Sequence, residues 1–174
     1  MKIKLFTLIT FSLLLTSCDP LTTFSVFNNY PEPIYLASPE FNCVSLYPDT
    51  VLPKDIGLLS LLDGQEKIDY QETFVFWQGM TGPTEELFCY NDTMSFYIFN
   101  ADTVDFYGWD TIVKYNMVLQ RYDLSMQDYT ELNTSMFMGE IVTLNFPPTD
   151  DMKHIHMWPP YGTYDEHGRR KNKH

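Results

Sequence analysis

Leu15-Thr16-Ser17-Cys18 closes an apolar run that begins at Leu5, and this motif decides which residues are left to build a fold. Lys2 and Lys4 stand before the run, whose length of about a dozen residues falls short of the ~20 needed to cross a bilayer. Small Ser17 suits cleavage before Cys18. The pattern is that of a bacterial lipoprotein signal, so residues 1–17 are expected to be removed and Cys18 to carry fatty acyl chains. The folded part would then be lipid-anchored in the cell envelope, with the outer membrane expected over the inner.

The chain beyond Cys18 suits one domain, since roughly 100–200 residues make a single core of useful size. Aromatic side chains form 16% of the chain against only 8 Gly, which argues for a packed body. Charge limits its partners. Between Cys18 and Trp158 stand five basic residues (Lys54, Lys67, Lys114, Arg121, Lys153) against 21 acidic ones. Such a body repels polyanions, so no nucleic-acid partner is expected, and the acyl anchor rather than electrostatics must hold the membrane. After Trp158 the balance reverses through Arg169, Arg170, Lys171 and Lys173, in a stretch rich in Pro, Gly and charge. The expected organisation is a signal over 1–17, a single globular domain over 18–158 and a flexible basic tail over 159–174.

With Cys18 committed to lipid, Cys43 and Cys89 are the thiols left in a compartment that permits disulfides. A bridge between them and two separately buried thiols are both open. No Cys-x-x-Cys pair occurs, which weighs against a redox enzyme.

Along the chain the pattern is mostly strand. Thr22 to Phe27 alternates into the turn cluster Asn28-Asn29-Tyr30-Pro31, and Ile34-Tyr35-Leu36 comes next, predicting an opening antiparallel pair. Ile56 to Leu62 and Glu66 to Tyr70 flank Asp63-Gly64, a hairpin signal. Thr73 to Met80 fits a strand by aromatic content or a helix by spacing, whereas Ser95 to Phe99 reads as a central strand with Phe96 and Ile98 inward. Capping signals come after it: Asp102 before 103–107, Asp110 before 111–116, and Ser125 with Asp128 before a helix over Met126 to Leu132. Strands over Met117 to Tyr122 and Glu140 to Phe146 enclose that helix, and Pro147-Pro148 is expected to end the regular structure. The fold class expected is α+β, mainly an antiparallel sheet or sandwich with two or three short helices in the second half.

The segments Tyr47-Pro48-Asp49-Thr50, Leu52-Pro53, Ile98-Phe99-Asn100-Ala101-Asp102-Thr103-Val104, Trp109-Asp110-Thr111-Ile112, Arg121-Tyr122-Asp123-Leu124-Ser125, Leu132-Asn133 and Phe146-Pro147-Pro148 carry a resemblance. Taken together they are similar to a family of small lipoproteins from gut Bacteroidales. Two departures stand out: the family carries Asp where this chain has Asn100, and Thr134 to Glu140 reads as an insertion. The resemblance implies the organism group and an envelope location, and it brings no activity with it.

Catalytic constellations are missing from the sequence pattern. His154, His156, His167 and His174 all lie near the C-terminus, so no His-dependent nucleophilic site is expected inside the body. Paired carboxylates of the kind a hydrolase uses have many candidates, but Asp102, Asp105, Asp110, Asp123 and Asp128 sit at turns and helix starts where capping explains them. His154 and His156 share one face of an extended segment beside Met152 and Met157, a ligand mix suited to copper, yet two imidazoles without a third firm ligand make only an adventitious metal site. No cofactor motif occurs. Asp-Thr followed by an aliphatic residue or Met marks Thr50, Thr93, Thr103 and Thr111 as candidate O-glycosylation acceptors by resemblance to envelope proteins of this bacterial group. Trp77, Trp109 and Trp158 are candidates for a sugar-stacking platform, against core packing as the alternative. The expected role is a non-catalytic interaction or binding module that contacts an envelope protein or a glycan, with a glycan-binding surface lipoprotein and a carboxylate-dependent hydrolase as alternatives.

Overall fold

The computed structural model describes residues 21–39, 52, 56–58, 67–79, 88, 93–136, 139–165 and 168–171. Its strands are β1 (Leu21–Asn28), β2 (Ile34–Pro39), β3 (Ile56–Leu58), β4 (Thr73–Gly79), β5 (Thr93–Asn100), β6 (Gln120–Ser125), β7 (Thr134–Met136), β8 (Gly139–Phe146) and β9 (His156–Trp158). The helices are α1 (Ala101–Tyr107), α2 (Trp109–Tyr115) and α3 (Met126–Leu132). One sheet runs β4-β1-β8-β7 and the other β3-β2-β5-β6-β9. Every pairing is antiparallel except β1 with β8. The α+β class with mainly antiparallel sheets and helices in the second half is what the sequence pattern indicates.

Side-chain alternation explains how the sheets stack. Phe24 and Val26 of β1 and Val142, Leu144 and Phe146 of β8 meet Leu36, Phe96, Ile98, Tyr122 and Leu124 of the second sheet in one buried cluster. β5 is central, with Phe96 and Ile98 inward as its alternation requires. Its other face is buried too. Tyr97 and Phe99 pack with Val104 of α1 and Ile112 of α2, so the unbroken apolar run Phe96 to Phe99 belongs to a strand covered on both sides.

Several local expectations are corrected. β1 and β2 lie in different sheets because β4 and β8 occupy both edges of β1. The connecting turn is held by buried Asn28, whose amide donates to Glu32 O and Ile68 O and whose carbonyl accepts from Tyr30 N. β3 pairs with β2 and Ile68 bridges Ile34, and the turn of the hairpin expected between 56–62 and 66–70 lies outside the described residues. Thr73–Gly79 is a strand, paired with β1. α1 is capped by Asn100, which accepts from Thr103 N at 2.7 Å, rather than by Asp102. α2 begins after Gly108 (φ 76°) rather than after Asp110. The Ser125–Asp128 capping box of α3 forms as its sequence requires. The strand expected over 117–122 runs instead from Gln120 to Ser125, and within the apparent insertion β7 forms an edge strand on β8.

The C-terminal part departs most. Past Pro147-Pro148 come a 3-10 turn at Asp150–Met152 and then β9, which extends the five-stranded sheet. The stretch expected to be a flexible tail folds back on the body over 159–165 and 168–171. Tyr164 packs against Phe146 with centroids 5.4 Å apart and donates its hydroxyl to Leu119 O at 2.7 Å. Tyr164 thus supplies an apolar anchor that periodicity could not reveal.

Candidate binding groove

β-strand alternation places Ser95 of β5, Arg121 and Asp123 of β6 and His156 of β9 on the face of the sheet opposite the sandwich core. Asp123 is the hub. Its Oδ1 accepts from Ser95 Oγ at 2.5 Å and from Arg121 Nε at 2.8 Å, and its Oδ2 lies 2.8 Å from His156 Nδ1. Arg121 is 1% and Asp123 4% exposed, and the guanidinium sits 5.5 Å from the Tyr97 ring centroid. The residue types are those of a nucleophilic triad, but the connection differs. A serine nucleophile passes its proton to an imidazole oriented by the carboxylate. Ser95 donates directly to the carboxylate, which Arg121 already neutralises, so the cluster fastens β9 to β6.

His154 and His156 both stand within the folded body. They are not a metal pair: His154 Nε2 lies 3.3 Å from Glu131 and 3.6 Å from Asp128 on α3, whereas His156 faces Asp123. Among the described residues no group of three or more His, Cys, Asp or Glu assembles that could hold a metal.

The fastened strand ends at Trp158, opposite Arg121, and the chain then forms the wall of a groove. Gln120 Nε2 donates to Pro159 O at 2.8 Å, and Thr163 Oγ1 donates to Pro160 O at 2.6 Å. Lys171 N donates to Thr163 O at 2.8 Å, bringing the basic segment alongside the aromatic one. The turn between them is set by Asp165, which accepts from Arg169 N at 2.9 Å and from Arg169 Nε at 3.0 Å. Gly168 has φ +75°, and a Cβ there would lie 2.7 Å from Tyr30 Cδ2 and 2.8 Å from Pro31 Cδ. Only glycine fits both the left-handed backbone and that close approach.

The groove encloses about 530 Å³ between Trp158, Pro160, Tyr161, Thr163, Arg170 and Lys171. Small-molecule sites typically span ~300–1,000 Å³. Arg169 is tied to Asp165, but Arg170 and Lys171 are exposed and make no salt bridge among the described residues. Burial pushes the Tyr164 hydroxyl up to about 12 while Arg170 acts to lower it, so that cation's field reaches the Tyr164 phenol. Tyr161, 38% exposed, forms a ridge shared with a second hollow of about 410 Å³ whose lining includes Asn29, Asp150 and Asp165. The Tyr161 hydroxyl donates to Asp150, and this hydrogen bond raises its pKa.

The remaining sequence candidates lie elsewhere. Trp109 is half-buried and packs edge-on to Phe99 at 5.1 Å, a core role. The Trp77 side chain, Cys18, Cys43, Cys89 and Thr50 lie outside the described residues. Thr93 opens β5, and Thr103 and Thr111 sit half-buried in α1 and α2. An exposed aromatic cluster, Phe106 (80% exposed) edge-on to Tyr107, projects from α1. The sequence carries a signal for the groove in Trp158-Pro159-Pro160-Tyr161 ahead of Arg169-Arg170-Lys171 with Gly168 beside it, but composition there reads as a tail. No protein-family model, no curated protein and no solved structure matches this chain.

Proposed function

We propose that this chain is a lipid-anchored, non-catalytic binding protein of the bacterial envelope, tethered through Cys18, that meets its ligand in the groove between Trp158 and Lys171. One observation carries the reading: two exposed cations without a salt bridge among the described residues stand opposite an aromatic and proline wall, in a chain of net charge −12. Cations left unpaired beside a concave surface are available to a ligand, and the surrounding negative field restricts which ligand can approach. The described lining of this groove contains neither a carboxylate nor an imidazole, so it offers binding groups without a general base. Only Asp19 and Pro20 separate Cys18 from β1, so an acylated Cys18 would hold the end of the first sheet close to the bilayer.

Hydroxyl-radical footprinting of the full chain, with and without an extract of bacterial envelope, tests the site. Protection concentrated in 158–171 is expected; protection confined to the Phe106–Tyr107 cluster would move the contact surface to α1 and refute this assignment. Labelled palmitate tests the anchor, since incorporation that persists in Cys18→Ser would remove the tether.

A further inference from the structure

We propose that the groove takes an acidic saccharide in which a carboxylate-bearing ring is followed by a neutral one. This rests on the reading of the groove as the binding site. The first hollow supplies what a carboxylated pyranose needs. Trp158, Pro160 and Tyr161 offer flat apolar surfaces for the C–H face of a sugar ring, and Thr163, whose hydroxyl donates to Pro160 O, keeps lone pairs for a sugar hydroxyl. Arg170 presents a planar fork that matches a carboxylate bidentately, and Lys171 adds a second positive charge.

The second hollow dictates the neighbouring ring. It lies across the Tyr161 ridge and is lined by Asn29, Asp150 and Asp165, which accept hydrogen bonds from hydroxyls, and Asp150, which makes no salt bridge among the described residues, repels a second carboxylate. Lys171 lines both hollows, so the positive charge fades across the ridge rather than ending at it. Charge on alternate rings therefore fits where charge on every ring does not. The net charge of −12 acts in the same direction, because a polyanion charged on every ring meets a net negative field as it approaches the protein.

Isothermal titration of the full chain, kept in detergent, separates these ideas with four probes. A hyaluronan tetrasaccharide alternates uronate with a neutral ring, a chitin tetrasaccharide is neutral throughout, a galacturonate tetrasaccharide is charged at every ring, and adenosine monophosphate is a flat anion without an oligosaccharide frame. The hyaluronan fragment should bind about tenfold tighter than each of the others, the size of effect that one charge-assisted contact supplies. Arg170→Gln and Lys171→Gln should each remove most of that preference, and Lys114→Gln, on α2, should leave it intact. Equal or tighter binding of the chitin fragment, the galacturonate fragment or the nucleotide would overturn the inference, as would hyaluronan binding that survives the Arg170→Gln, Lys171→Gln double variant. Absence of binding by any saccharide, with envelope extract still protecting 158–171, would overturn the ligand class and leave the binding reading standing.

Discussion

Removing one member of a buried ion pair takes from the other its charge-assisted contact, and Asp123 is the place to measure what that costs in this fold. Asp123→Ala takes from Arg121 its 2.8 Å partner while the guanidinium remains enclosed. Losses of this kind run to about 3–5 kcal/mol, a large share of the ~5–15 kcal/mol that holds a domain folded. Arg121 keeps its other contacts in the variant, the Tyr97 ring at 5.5 Å among them, so the cost falls at the lower end of that range. The expected cost is therefore about 3 kcal/mol. Asp123→Asn keeps the shape but not the charge and should cost less. His156→Ala removes an imidazole that is 63% exposed and should cost under about 1 kcal/mol. Arg121→Met combined with Asp123→Leu removes both charges of the pair and should recover most of the loss. Urea midpoints at constant slope provide the assay. An Asp123→Ala cost below about 1 kcal/mol, or a double variant as unstable as the single one, would show that this ion pair does not hold the fold in the way argued.

The inter-sheet core is tested by Phe96→Ala and Ile98→Ala, each expected to lose about 2–5 kcal/mol in the same denaturant assay, against under ~0.5 kcal/mol for exposed Phe106→Ala. Gly168→Ala forces a left-handed alanine and a methyl group 2.7 Å from Tyr30, so about 2–4 kcal/mol of local stability should disappear. Amide exchange should show it as lost protection over 163–171 with β5 unchanged. Tyr164 titrates near 12 when folded, above its ordinary 10.0, so its contribution is complete below pH 10 and fades as pH rises toward 12. Tyr164→Phe should delete a late-ionising phenol from the ultraviolet titration and flatten the stability loss over that interval.

Sequence patterning reveals elements whose identity depends on local chemistry. Ser125 and Asp128 cap α3 wherever the helix sits, and the run around Phe96 must be buried whichever strands flank it. It does not reveal pairing, because partners are chosen over long separations. β1 takes β8, more than a hundred residues away, and thereby forces β2 into the other sheet. The cap of α1 reads as Asp102 because acidic residues suit helix starts, yet Asn100 lies where the strand ends and Asp102 turns to Lys67 at 3.1 Å. His156 is unreadable for the same reason, since its role appears only once β9 pairs with β6 and brings it to Asp123.

The groove shows how position and recognition divide between residues. Its walls are held from beneath by contacts that carry no ligand chemistry: Gln120 to the Pro159 carbonyl, Tyr164 to the Leu119 carbonyl and the Gly168 backbone against Tyr30. The side chains of Arg170 and Lys171 face solvent and take no part in those contacts. Substitutions beneath the groove should therefore lower stability and binding together, because they move the wall. Changes at the two cations should alter which ligand binds without altering the midpoint of unfolding. A segment whose charge and proline content read as a tail can in this way be fixed by a few inward contacts, while the residues that gave it that composition stay free to define what it holds.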